Sequence, residues 1–423
     1  MPTYALVDCN SFYCSCETLF QPWLRDKPVV VISNNDGCVV SRNDAAKALG
    51  IKMGVPFFHI RDLQASGQLQ VFSSNYALYQ SLSNRVMAIL DSLAPRAFVY
   101  SIDEAFCDLT GIGDPLEWGY NAQRAVLESV GIPVGVGIST TKTLAKLANW
   151  SAKKWKRQTG CVVDLTDPAR QARLLKVASI EEVWGIGARL SERLKDEYKI
   201  RTAWDLIQID PKQLRRGFSV NVERTARELA GMVCFEFADG SPERKHQIMC
   251  SRSFGEKLYA LGDLKQAVAS FAANAAAKLR AQGSLAHCVQ VYARTNGFKA
   301  PHFSDSRIMV MPEPSADTRD IAQAALHGLE LLYREGPAYA KAGVILSQFV
   351  QEQGRVRDLF APKSRAGSEE LMRVMDAINV RQGRGALRLG REALQGKSKH
   401  AMQQNWLSPA YTTDWASLPK GRC

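Results

Sequence analysis

The fold of this chain is decided by the stretch Phe98-Val99-Tyr100-Ser101-Ile102-Asp103-Glu104-Ala105-Phe106-Cys107-Asp108-Leu109. Strand-like apolar residues run there directly into two adjacent carboxylates, Asp103 and Glu104. A third carboxylate, Asp8, ends the first apolar run of the chain, Tyr4-Ala5-Leu6-Val7. Carboxylates at the ends of buried strands cost free energy unless a cation compensates them. Three such oxygen ligands suit one or two Mg²⁺ ions, and a pair of these ions catalyses in-line phosphoryl transfer.

An Asp-Glu dipeptide is common, and by itself it is more often a turn or a solvated edge than a catalytic site. The residues after Asp8 favour the catalytic interpretation, because Asn10 or Ser11 can cap a helix whose amides face the carboxylates and would attract phosphate. Neighbours on a flat strand point to opposite faces. Asp103 and Glu104 can therefore share a site only at a bend or a strand end.

Residues 1 to about 180 alternate between strand-like and helical patterns, which predicts a mixed α/β catalytic domain. The predicted buried strands are Val29–Ile32, Val99–Phe106 and Val134–Ile138, and the predicted helices are Ala77–Leu93 and Thr141–Lys153. Beyond Ile180 the pattern is that of a helix, a hairpin at Gly185 and Gly187, and a second helix. Such a hairpin can offer backbone N–H groups to a DNA phosphate, although a lone Gly-x-Gly is more often an ordinary turn.

Residues 241 to 352 carry a separate pattern of strands and helices in the order β-α-β-β-α-β. The predicted elements are strand 248–254, a helix with Leu264, Ala267, Val268, Phe271, Ala275 and Leu279 at helical spacing, strands 288–294 and 307–311, helix 318–333 and strand 342–349. After about residue 353 the chain is basic and rich in turns, which indicates an extended regulatory tail with little core of its own.

Composition favours a polyanionic partner. Lysine and arginine number 54 against 42 aspartates and glutamates, so the net charge is +12 and the pI is about 9.2. Nucleic acid fits this balance, and a membrane surface would fit the charge alone. No stretch approaches the roughly 18 apolar residues of a spanning helix, and the N-terminus lacks a signal peptide pattern. We expect a cytoplasmic protein without a membrane partner.

The ten cysteines show neither a C-x-x-C pair nor a matching histidine spacing, which argues against zinc. Several lie inside apolar runs, so we expect most of them to be reduced core residues. They are Cys9, Cys14, Cys16, Cys38, Cys107, Cys161, Cys234, Cys250, Cys288 and Cys423.

The carboxylate motifs resemble the paired signature of Y-family translesion DNA polymerases. They are Asp8-Cys9-Asn10-Ser11-Phe12-Tyr13 and Ser101-Ile102-Asp103-Glu104-Ala105-Phe106, and the likeness continues through Gly135-Val136-Gly137-Ile138-Ser139 and Lys142-Thr143-Leu144-Ala145-Lys146-Leu147-Ala148-Asn149. Three further stretches resemble the UmuC branch, the catalytic subunit of bacterial DNA polymerase V. They are Ser33-Asn34-Asn35-Asp36-Gly37-Cys38, Cys250-Ser251-Arg252-Ser253-Phe254-Gly255-Glu256 and Leu407-Ser408-Pro409-Ala410-Tyr411-Thr412-Thr413.

The resemblance implies an α+β right-hand polymerase with palm, small fingers, helix-hairpin-helix thumb, a β-α-β-β-α-β little finger and a C-terminal tail. We place the palm at 1–180 with the fingers inserted at about 20–73. The thumb follows at 181–240, the little finger at 241–352, and the regulatory, partner-binding tail at 353–423.

The resemblance also implies two Mg²⁺ ions and deoxynucleoside triphosphate substrates. Asp8 and Asp103, with the Cys9 carbonyl, would hold the ion on the triphosphate, and Glu104 with both aspartates would hold the ion at the primer 3′-OH. Tyr13 stands where the family keeps a steric gate against ribose, the alternative being that Phe12 and Tyr13 are both simply core. The nucleotide-binding residues implied are Phe12, Tyr13, Lys47 and Lys153. Where the family commonly has Tyr and Arg, this chain has Asp44 and Lys47, and Asn35 or Ser41 would contribute instead.

Lys142, Lys146 and Lys153 lie on one helical stripe, which is usually just solvated. The DNA-binding residues that we expect are Lys142, Lys146, Gly185, Gly187 and Arg252, with Arg294 and Lys299 as further phosphate contacts. Clamp-binding peptides of the family end in Leu-Phe after a glutamine. Leu359 and Phe360 keep that end, but Val356 replaces the glutamine, and an apolar anchor onto the little finger is the alternative.

The expected function is error-prone, template-directed DNA synthesis across lesions in the SOS mutagenesis response. The partners implied are primer-template DNA, a processed UmuD-type dimer, a RecA filament and the sliding clamp. A nucleotide cyclase would need Gly-Gly before its Asp-Glu, and Ser101-Ile102 argues against it. A non-catalytic DNA-binding subunit of a repair complex is the remaining alternative, and the intact carboxylate triad argues against that.

Overall fold

The computed structural model describes residues 2–236, 244–297, 302–351, 365–383, 385–390, 392 and 402–418. The chain forms two compact units. The first comprises Met1–Ser241 together with Asn405–Cys423, and the second comprises Pro242–Gln404.

The first unit begins with two sheets and the helices around them. In chain order the elements are β1 (Tyr4–Cys9), α1 (Phe12–Leu19), β2 (Val29–Ile32), β3 (Val39–Arg42), α2 (Asp44–Ala48), α3 (Arg61–Ala65), β4 (Gln70–Ser73), α4 (Tyr76–Leu93), β5 (Arg96–Val99), β6 (Glu104–Asp108), α5 (Pro115–Val130), β7 (Val134–Ser139), α6 (Lys142–Lys154), α7 (Lys156–Thr159), β8 (Val162–Asp164) and α8 (Pro168–Val177). The predicted strands at 29–32 and 134–138 and the predicted helices at 77–93 and 141–153 are confirmed to within a residue at each end.

The larger sheet has the strand order β5-β6-β1-β7-β8, with β7 and β8 parallel and the other pairs antiparallel. Its central strands are buried, because helices cover both faces. A side chain at Gly119 of α5 would meet Ile138, whereas one at the neighbouring Gly137 would meet the backbone of α6. Adjacent strand residues face opposite ways, so α5 and α6 pack on opposite sides of β7.

Gly137 sets the closeness of that packing. A Cβ at this position would lie 2.1 Å from the Asn149 nitrogen and 2.3 Å from the Ala145 oxygen, both backbone atoms of α6. Only glycine lets the helix approach β7 so closely. Asn149, 3% exposed, fixes the approach by donating to the Gly135 carbonyl at 2.7 Å and the Leu6 carbonyl at 3.4 Å.

The smaller sheet has the order β3-β2-β4 and lies in the segment predicted as fingers. β2 pairs antiparallel with β3 and parallel with β4. It has a small core of its own, formed by Val30, Ile32, Val39, Ala46, Ile51, Ile60, Leu69 and Val71.

Four helices follow the sheets in the first unit. They are α9 (Ala188–Tyr198), α10 (Ala203–Ile207), α11 (Pro211–Gly217) and α12 (Val220–Leu229). The predicted helix before the glycine hairpin is wrong, because the chain there makes only a single 3-10 turn, Ile180–Glu182. The turn itself needs glycine, since Gly185 has φ +86°.

The helical segment is fastened to α6 by the buried carboxylate of Glu228. Its Oε2 accepts hydrogen bonds from the backbone N–H and the hydroxyl of Thr143, at 2.9 and 2.8 Å. Its Oε1 accepts from the backbone N–H groups of Cys234 and Phe235, both at 3.0 Å. Four donors satisfy a carboxylate that would otherwise be costly to bury.

The second unit shows the β-α-β-β-α-β order that the sequence predicts, which is thereby confirmed. Its elements are β9 (Ile248–Leu258), α13 (Leu261–Ala281), β10 (Ser284–Thr295), β11 (Ser304–Ser315), α14 (Thr318–Leu332), β12 (Tyr339–Gln351) and α15 (Ser368–Arg381). The antiparallel sheet has the order β11-β10-β12-β9. Buried residues of α13 and α14 form one core with its strands.

The described parts of the predicted tail pack on the two units separately. In the second unit, α15 buries Met372 and Met375, and its Asp376 receives two hydrogen bonds of 2.7 Å from the Arg280 guanidinium. Residues from Asn405 onward belong to the first unit. The tail has little core of its own, because each described part packs against the unit to which it belongs.

Candidate active site

Asp8 and Glu104 are direct partners across the antiparallel strands β1 and β6. One step further on, the Cys9 N–H donates to the Asp103 carbonyl at 2.9 Å. This register brings Asp8, Asp103 and Glu104 to one edge of the sheet, as the sequence motif requires.

A bend between β5 and β6 resolves the geometric problem of two adjacent carboxylates. The single strand predicted at 99–106 is wrong, since the chain turns after Val99 and re-enters the sheet at Glu104. The Ser101 hydroxyl holds this turn. It donates to Asp103 Oδ1 at 2.6 Å and accepts from the backbone N–H groups of Asp103 and Glu104, at 3.3 and 3.1 Å. Asp103 therefore lies in a bend, and Glu104 begins a strand.

Two lysines of α6 reach these carboxylates. Lys146 Nζ lies 3.0 Å from Oε1 and 2.9 Å from Oε2 of Glu104, and Lys153 forms an ion pair with Asp8. The resemblance implies that Lys146 contacts DNA and that Lys153 contacts the triphosphate. In this structure both ammonium groups contact carboxylates, and the packing of α6 over Gly135 and Gly137 brings them there.

The surroundings of Asp8 disfavour its negative charge. Burial raises the pKa of the Asp8 carboxyl above its usual range; the Lys153 ammonium lowers it, and the nearby Glu104 carboxylate raises it further. In the described part of the chain, no three His, Cys, Asp or Glu side chains meet closely enough to hold a metal ion. Two aspartates and a glutamate are nevertheless hard oxygen donors of the kind that Mg²⁺ takes, and in this structure two of them are paired with lysines.

Tyr13 lies on α1, which begins at Phe12. The predicted side-chain cap is wrong, because Ser11 occupies the N-cap position with φ +46° and its side chain makes no capping hydrogen bond. Phe12 is 3% exposed and belongs to the core. Tyr13 is half-buried and stacks on Tyr79, with ring centroids 4.4 Å apart, while Tyr76 meets it edge-on at 6.2 Å. One face of the Tyr13 ring is thus packed against the Tyr79 ring.

The lysine predicted to bind nucleotide in the fingers already has an acidic partner. Lys47 Nζ lies 2.9 Å from Asp44, and Lys156 pairs with the other Asp44 oxygen. The hydrogen bond from Lys156 is the main reason why the pKa of Asp44 is below its usual value. The negative charge of Asp44 is therefore shared by two lysines.

The predicted DNA contacts lie in different settings. Lys142 is 5% exposed; its ammonium bonds the Glu236 carbonyl and lies 5.6 Å from the Phe98 ring, so a DNA contact would require it to leave this position. Gly185 and Gly187 are exposed. Arg252 is exposed opposite the buried Ala342 of β12. Lys299, Val356, Leu359 and Phe360 lie outside the described residues.

Sequence reasoning missed the hydroxyl of Ser101 and the amide of Asn149, both of which fix the site. Ser101 stands two residues before Asp103, a spacing typical of a side chain that closes a turn. Asn149 is a polar residue on the apolar face of a predicted helix, which is a usable signal for a buried hydrogen bond. Six of the nine described cysteines are buried, and Cys38, Cys161 and Cys234 are partly exposed.

Comparison with known proteins gives consistent matches over most of the chain. Residues 7–150 match the impB/mucB/samB family, residues 245–359 match the C-terminal domain of that family, and residues 369–420 match a domain of unknown function. The chain is 44% identical to Protein UmuC of Salmonella typhimurium over 98% of this chain and 99% of the relative. It is 43% identical to Protein ImpB of Salmonella typhimurium, covering 99% of both chains.

More distant matches carry polymerase names. DNA polymerase IV of Caulobacter vibrioides is 28% identical over 93% of this chain and 94% of the relative. Among solved structures, the Y-family DNA polymerase chimera Dbh-Dpo4(243-245)-Dbh matches with a TM-score of 0.63 and 22% identity, covering 83% of this chain and all of that one. That likeness supports the fold. In the part of the chain that the structure describes, no helix is long and apolar enough to cross a membrane.

Proposed function

The chain belongs to the impB/mucB/samB family of Y-family DNA polymerases, and we propose that Asp8, Asp103 and Glu104 are the metal-binding carboxylates of its active site. It is a DNA-directed DNA polymerase of the translesion class. The observation that carries the site proposal is the register of β1 and β6, which puts Asp8 opposite Glu104 and Cys9 against Asp103.

The residues would divide two Mg²⁺ ions between them. Asp8, Asp103 and the Cys9 carbonyl would hold the ion that carries the triphosphate, and Glu104 with both aspartates would hold the ion at the primer end. When bound, such ions lower the pKa of the 3′-OH and neutralise charge on the reacting phosphate. The oxygen ligands, the burial of Asp8 and the two competing ammonium groups support this assignment.

The chain's own side chains would then change partners as substrate enters. Lys153 is paired with Asp8, a proposed ligand of the ion that carries the triphosphate. Release from Asp8 would therefore free the Lys153 ammonium to bind phosphate. Lys47 and Lys156, held by Asp44, add positive charge at the fingers. Phe12 would contribute to the nucleotide site as a buried residue next to Tyr13. Tyr13, which is half-buried and stacks on Tyr79, would reject a ribose 2′-OH by contact with its ring.

Duplex binding would be distributed over basic and backbone groups. We propose contacts from Lys146 and Lys142 near the primer end, from the exposed backbone at Gly185 and Gly187, and from Arg294 and, to a smaller extent, Arg252 in the second unit. Contacts of this kind to phosphates give affinity without reading sequence. They fit a polymerase that must accept any template.

The remaining partners are inferred from the similarity of this chain to Protein UmuC. We propose that the active form joins primer-template DNA to a processed UmuD-type dimer and a RecA filament in the cytoplasm. Leu359 and Phe360 would bind the sliding clamp. Changing both to Ala and measuring damage-induced mutagenesis beside pull-down of each partner separates clamp recruitment from UmuD-type recruitment.

The decisive test is primer extension by Glu104→Ala and Asp103→Ala. We expect each to lower incorporation by at least about a hundredfold, because the transition-state charge loses its compensation. Duplex affinity should survive, since it comes from distributed basic groups. Asp108→Asn is the matched control, an isosteric change at the opposite end of β6. Extension at the wild-type rate by either alanine variant would refute the site. If the wild-type protein fails to extend with all its partners, the non-catalytic alternative is favoured.

A further inference from the structure

A segment near the C-terminus is attached to the smaller sheet of the first unit. Residues 405–411, here called the C-terminal strap, lie against β4, which is an edge strand. Ser73 N–H donates to the Trp406 carbonyl at 3.0 Å, the Ser73 hydroxyl accepts from Trp406 N–H at 3.1 Å, and Ser73 pairs with Leu407 in a parallel bridge. The strap thus pairs with the last residue of this edge strand.

The strap also holds the turn that resembles the UmuC branch. Asn35 and Asp36 both have positive φ, 60° and 49°, which is a strained conformation for residues other than glycine. Asp36 is stabilised there by two hydrogen bonds. Its Oδ1 accepts from the Ser73 hydroxyl at 2.5 Å, and its Oδ2 accepts from the Asn405 N–H at 2.8 Å. Asp36, which belongs to one of the three stretches that resemble the UmuC branch, is therefore hydrogen-bonded to the strap through Asn405.

A third anchor is Asn75, the N-cap of α4. Its Oδ1 accepts from the Leu78 N–H at 3.3 Å, as a helix cap does. Its Nδ2 donates to the strap, at 3.0 Å to the Ser408 hydroxyl and at 3.3 Å to the Ser408 and Pro409 carbonyls. The start of α4 is thereby fixed to residues 333 and 334 positions away in the chain.

Aromatic contacts complete the attachment. Tyr411 stacks on Phe20 at the end of α1, with ring centroids 4.5 Å apart and planes within 11°. Trp406 contacts Phe57, with centroids 4.7 Å apart. The strap therefore joins α1, α4 and the three-stranded sheet.

A packed series of side chains leads from the strap to Tyr13. Asn75, which is bonded to Ser408 of the strap, caps α4, and α4 carries Tyr79 opposite the buried carboxylate of Glu17. Glu17 Oε1 accepts a 2.6 Å hydrogen bond from the Tyr79 hydroxyl. Tyr79, which is fully buried on α4, stacks on Tyr13. Glu17 and Tyr13 lie one turn apart on α1, so the series closes on the same helix.

We propose that the C-terminal strap is a positioning element for sugar selection, and that Tyr79 and Glu17 are positioning residues that transmit its effect. Rejection of a ribose by collision works only while the colliding ring cannot retreat. The strap fixes α4, α4 fixes Tyr79, and Tyr79 prevents the Tyr13 ring from moving away. The inference rests on the proposed role of Tyr13, and it makes the end of the chain part of the catalytic unit.

The test measures single insertions of ribo- and deoxyribonucleotides by the full-length protein. Asn75→Asp keeps the cap for Leu78 and removes the donor to the strap, so the ratio of ribonucleotide to deoxyribonucleotide kcat/KM should rise roughly tenfold. Insertion of deoxyribonucleotides should change by less than about threefold, since no reacting group is altered. Tyr411→Ala, which removes an anchor of the strap, should act in the same direction.

Tyr79→Phe tests the contacts between Glu17, Tyr79 and Tyr13 without changing the strap or the cap of α4. It therefore still tests the proposal if Asn75→Asp fails to fold. It keeps the stack on Tyr13 and removes the bond to Glu17. Glu17→Gln retains an acceptor and should preserve selectivity, whereas Glu17→Ala should not. Trp415→Ala, in the same terminal segment but 89% exposed, is the control and should change nothing.

The outcomes separate this inference from the proposed function. Tyr13→Ala is included as the reference: if it leaves the sugar ratio unchanged, the gate assignment itself is wrong. If Tyr13→Ala raises the ratio and Asn75→Asp and Tyr79→Phe do not, the strap has no role in selection. An equal loss of both insertions in these variants would also overturn the inference, because it would indicate a general loss of structure.

Discussion

Lys146 Nζ on α6 lies 2.9 Å from Oε2 of Glu104 at the start of β6, so a lysine from one element neutralises a proposed metal ligand on another. The ammonium also lies 4.8 Å from the centre of the Tyr100 ring and 5.6 Å from that of Trp184. These aromatic faces favour a cation at this position. The lysine therefore competes with a metal ion for the same carboxylate.

Replacing this lysine should strengthen metal binding. In Lys146→Met no ammonium has to be displaced from Glu104, and a partly exposed pair of this kind contributes about 1 kcal/mol. The dissociation constant of Mn²⁺ from the protein without DNA should fall by about three- to tenfold, measured by paramagnetic titration. Lys154→Met is the control, because that lysine lies on the Trp150 ring. Equal or weaker Mn²⁺ binding by Lys146→Met would contradict the competition.

Removing the ring of Tyr13 should relax sugar selection. Tyr13→Ala opens the space into which a ribose 2′-OH would project, so ribonucleotide insertion should rise by at least about tenfold relative to deoxyribonucleotide insertion. Tyr13→Phe keeps the ring and should behave like the wild type. Single-nucleotide insertion kinetics measure both. An unchanged ratio in Tyr13→Ala would assign this residue to the core.

Adding one methyl group at Gly137 should be strongly destabilising. Its Cβ would lie 2.1 and 2.3 Å from backbone atoms of α6, which cannot move as a flexible side chain can. We expect a loss of about 3 kcal/mol or more in the free energy of unfolding, measured by urea denaturation. Gly113→Ala, where a Cβ meets nothing within 4 Å, should change stability by less than about 1 kcal/mol. Comparable stabilities would refute close packing of α6 on β7.

The buried carboxyl of Glu17 should make the protein less stable as pH rises. Burial raises its pKa from 4.5 to about 7, and the hydrogen bond from the Tyr79 hydroxyl offsets only part of that shift. Between these values the unfolded chain has lost this proton while the folded protein retains it. The folded state therefore binds more protons, and its stability falls until pH passes about 7.

Glu17→Gln measures the size of this effect. The wild type should lose about 2 kcal/mol from this residue between pH 5.5 and pH 8.0. The variant should lack that part of the decline and be the more stable protein at pH 8.0. Urea midpoints of both proteins at the two pH values give the comparison. An identical decline in wild type and variant would show that Glu17 is ionised in the folded state.

The second unit offers a test of which sheet face meets DNA. Arg294 lies opposite Lys341, whereas Arg252 lies opposite the buried Ala342, so the two arginines lie on opposite faces of the sheet. Because α13 and α14 cover the face that carries Ala342, Arg294→Ala should weaken duplex binding and lower the salt slope by about 0.9. Arg252→Ala, measured in parallel by fluorescence anisotropy, should lower the duplex affinity and its salt dependence by a smaller amount. The reverse order would place DNA at the helix-covered side.

The order of elements and the identity of the acidic residues were predictable from the sequence. Buried strands such as β2 and β7 are short runs of branched apolar residues, and α4 and α6 have helical periodicity over many residues. The β-α-β-β-α-β order was predictable for the same reason. A shared site for Asp103 and Glu104 already required a bend or a strand end, but the position of the break was not predicted, because strand-like residues continue from Val99 through Tyr100 to Ile102.

Residues far apart in the sequence met in ways that only tertiary packing decides. In the sequence, Lys146 and Lys153 lie on a basic helical stripe of the kind that is usually solvated. In the structure, α6 lies so close to Gly137 that both ammonium groups reach carboxylates. Asp36 and Asn405 read as parts of two unrelated segments. Their hydrogen bond exists because the C-terminal strap pairs with Ser73 at the end of β4. A contact between residues 369 positions apart leaves no periodicity in the chain for a sequence pattern to show.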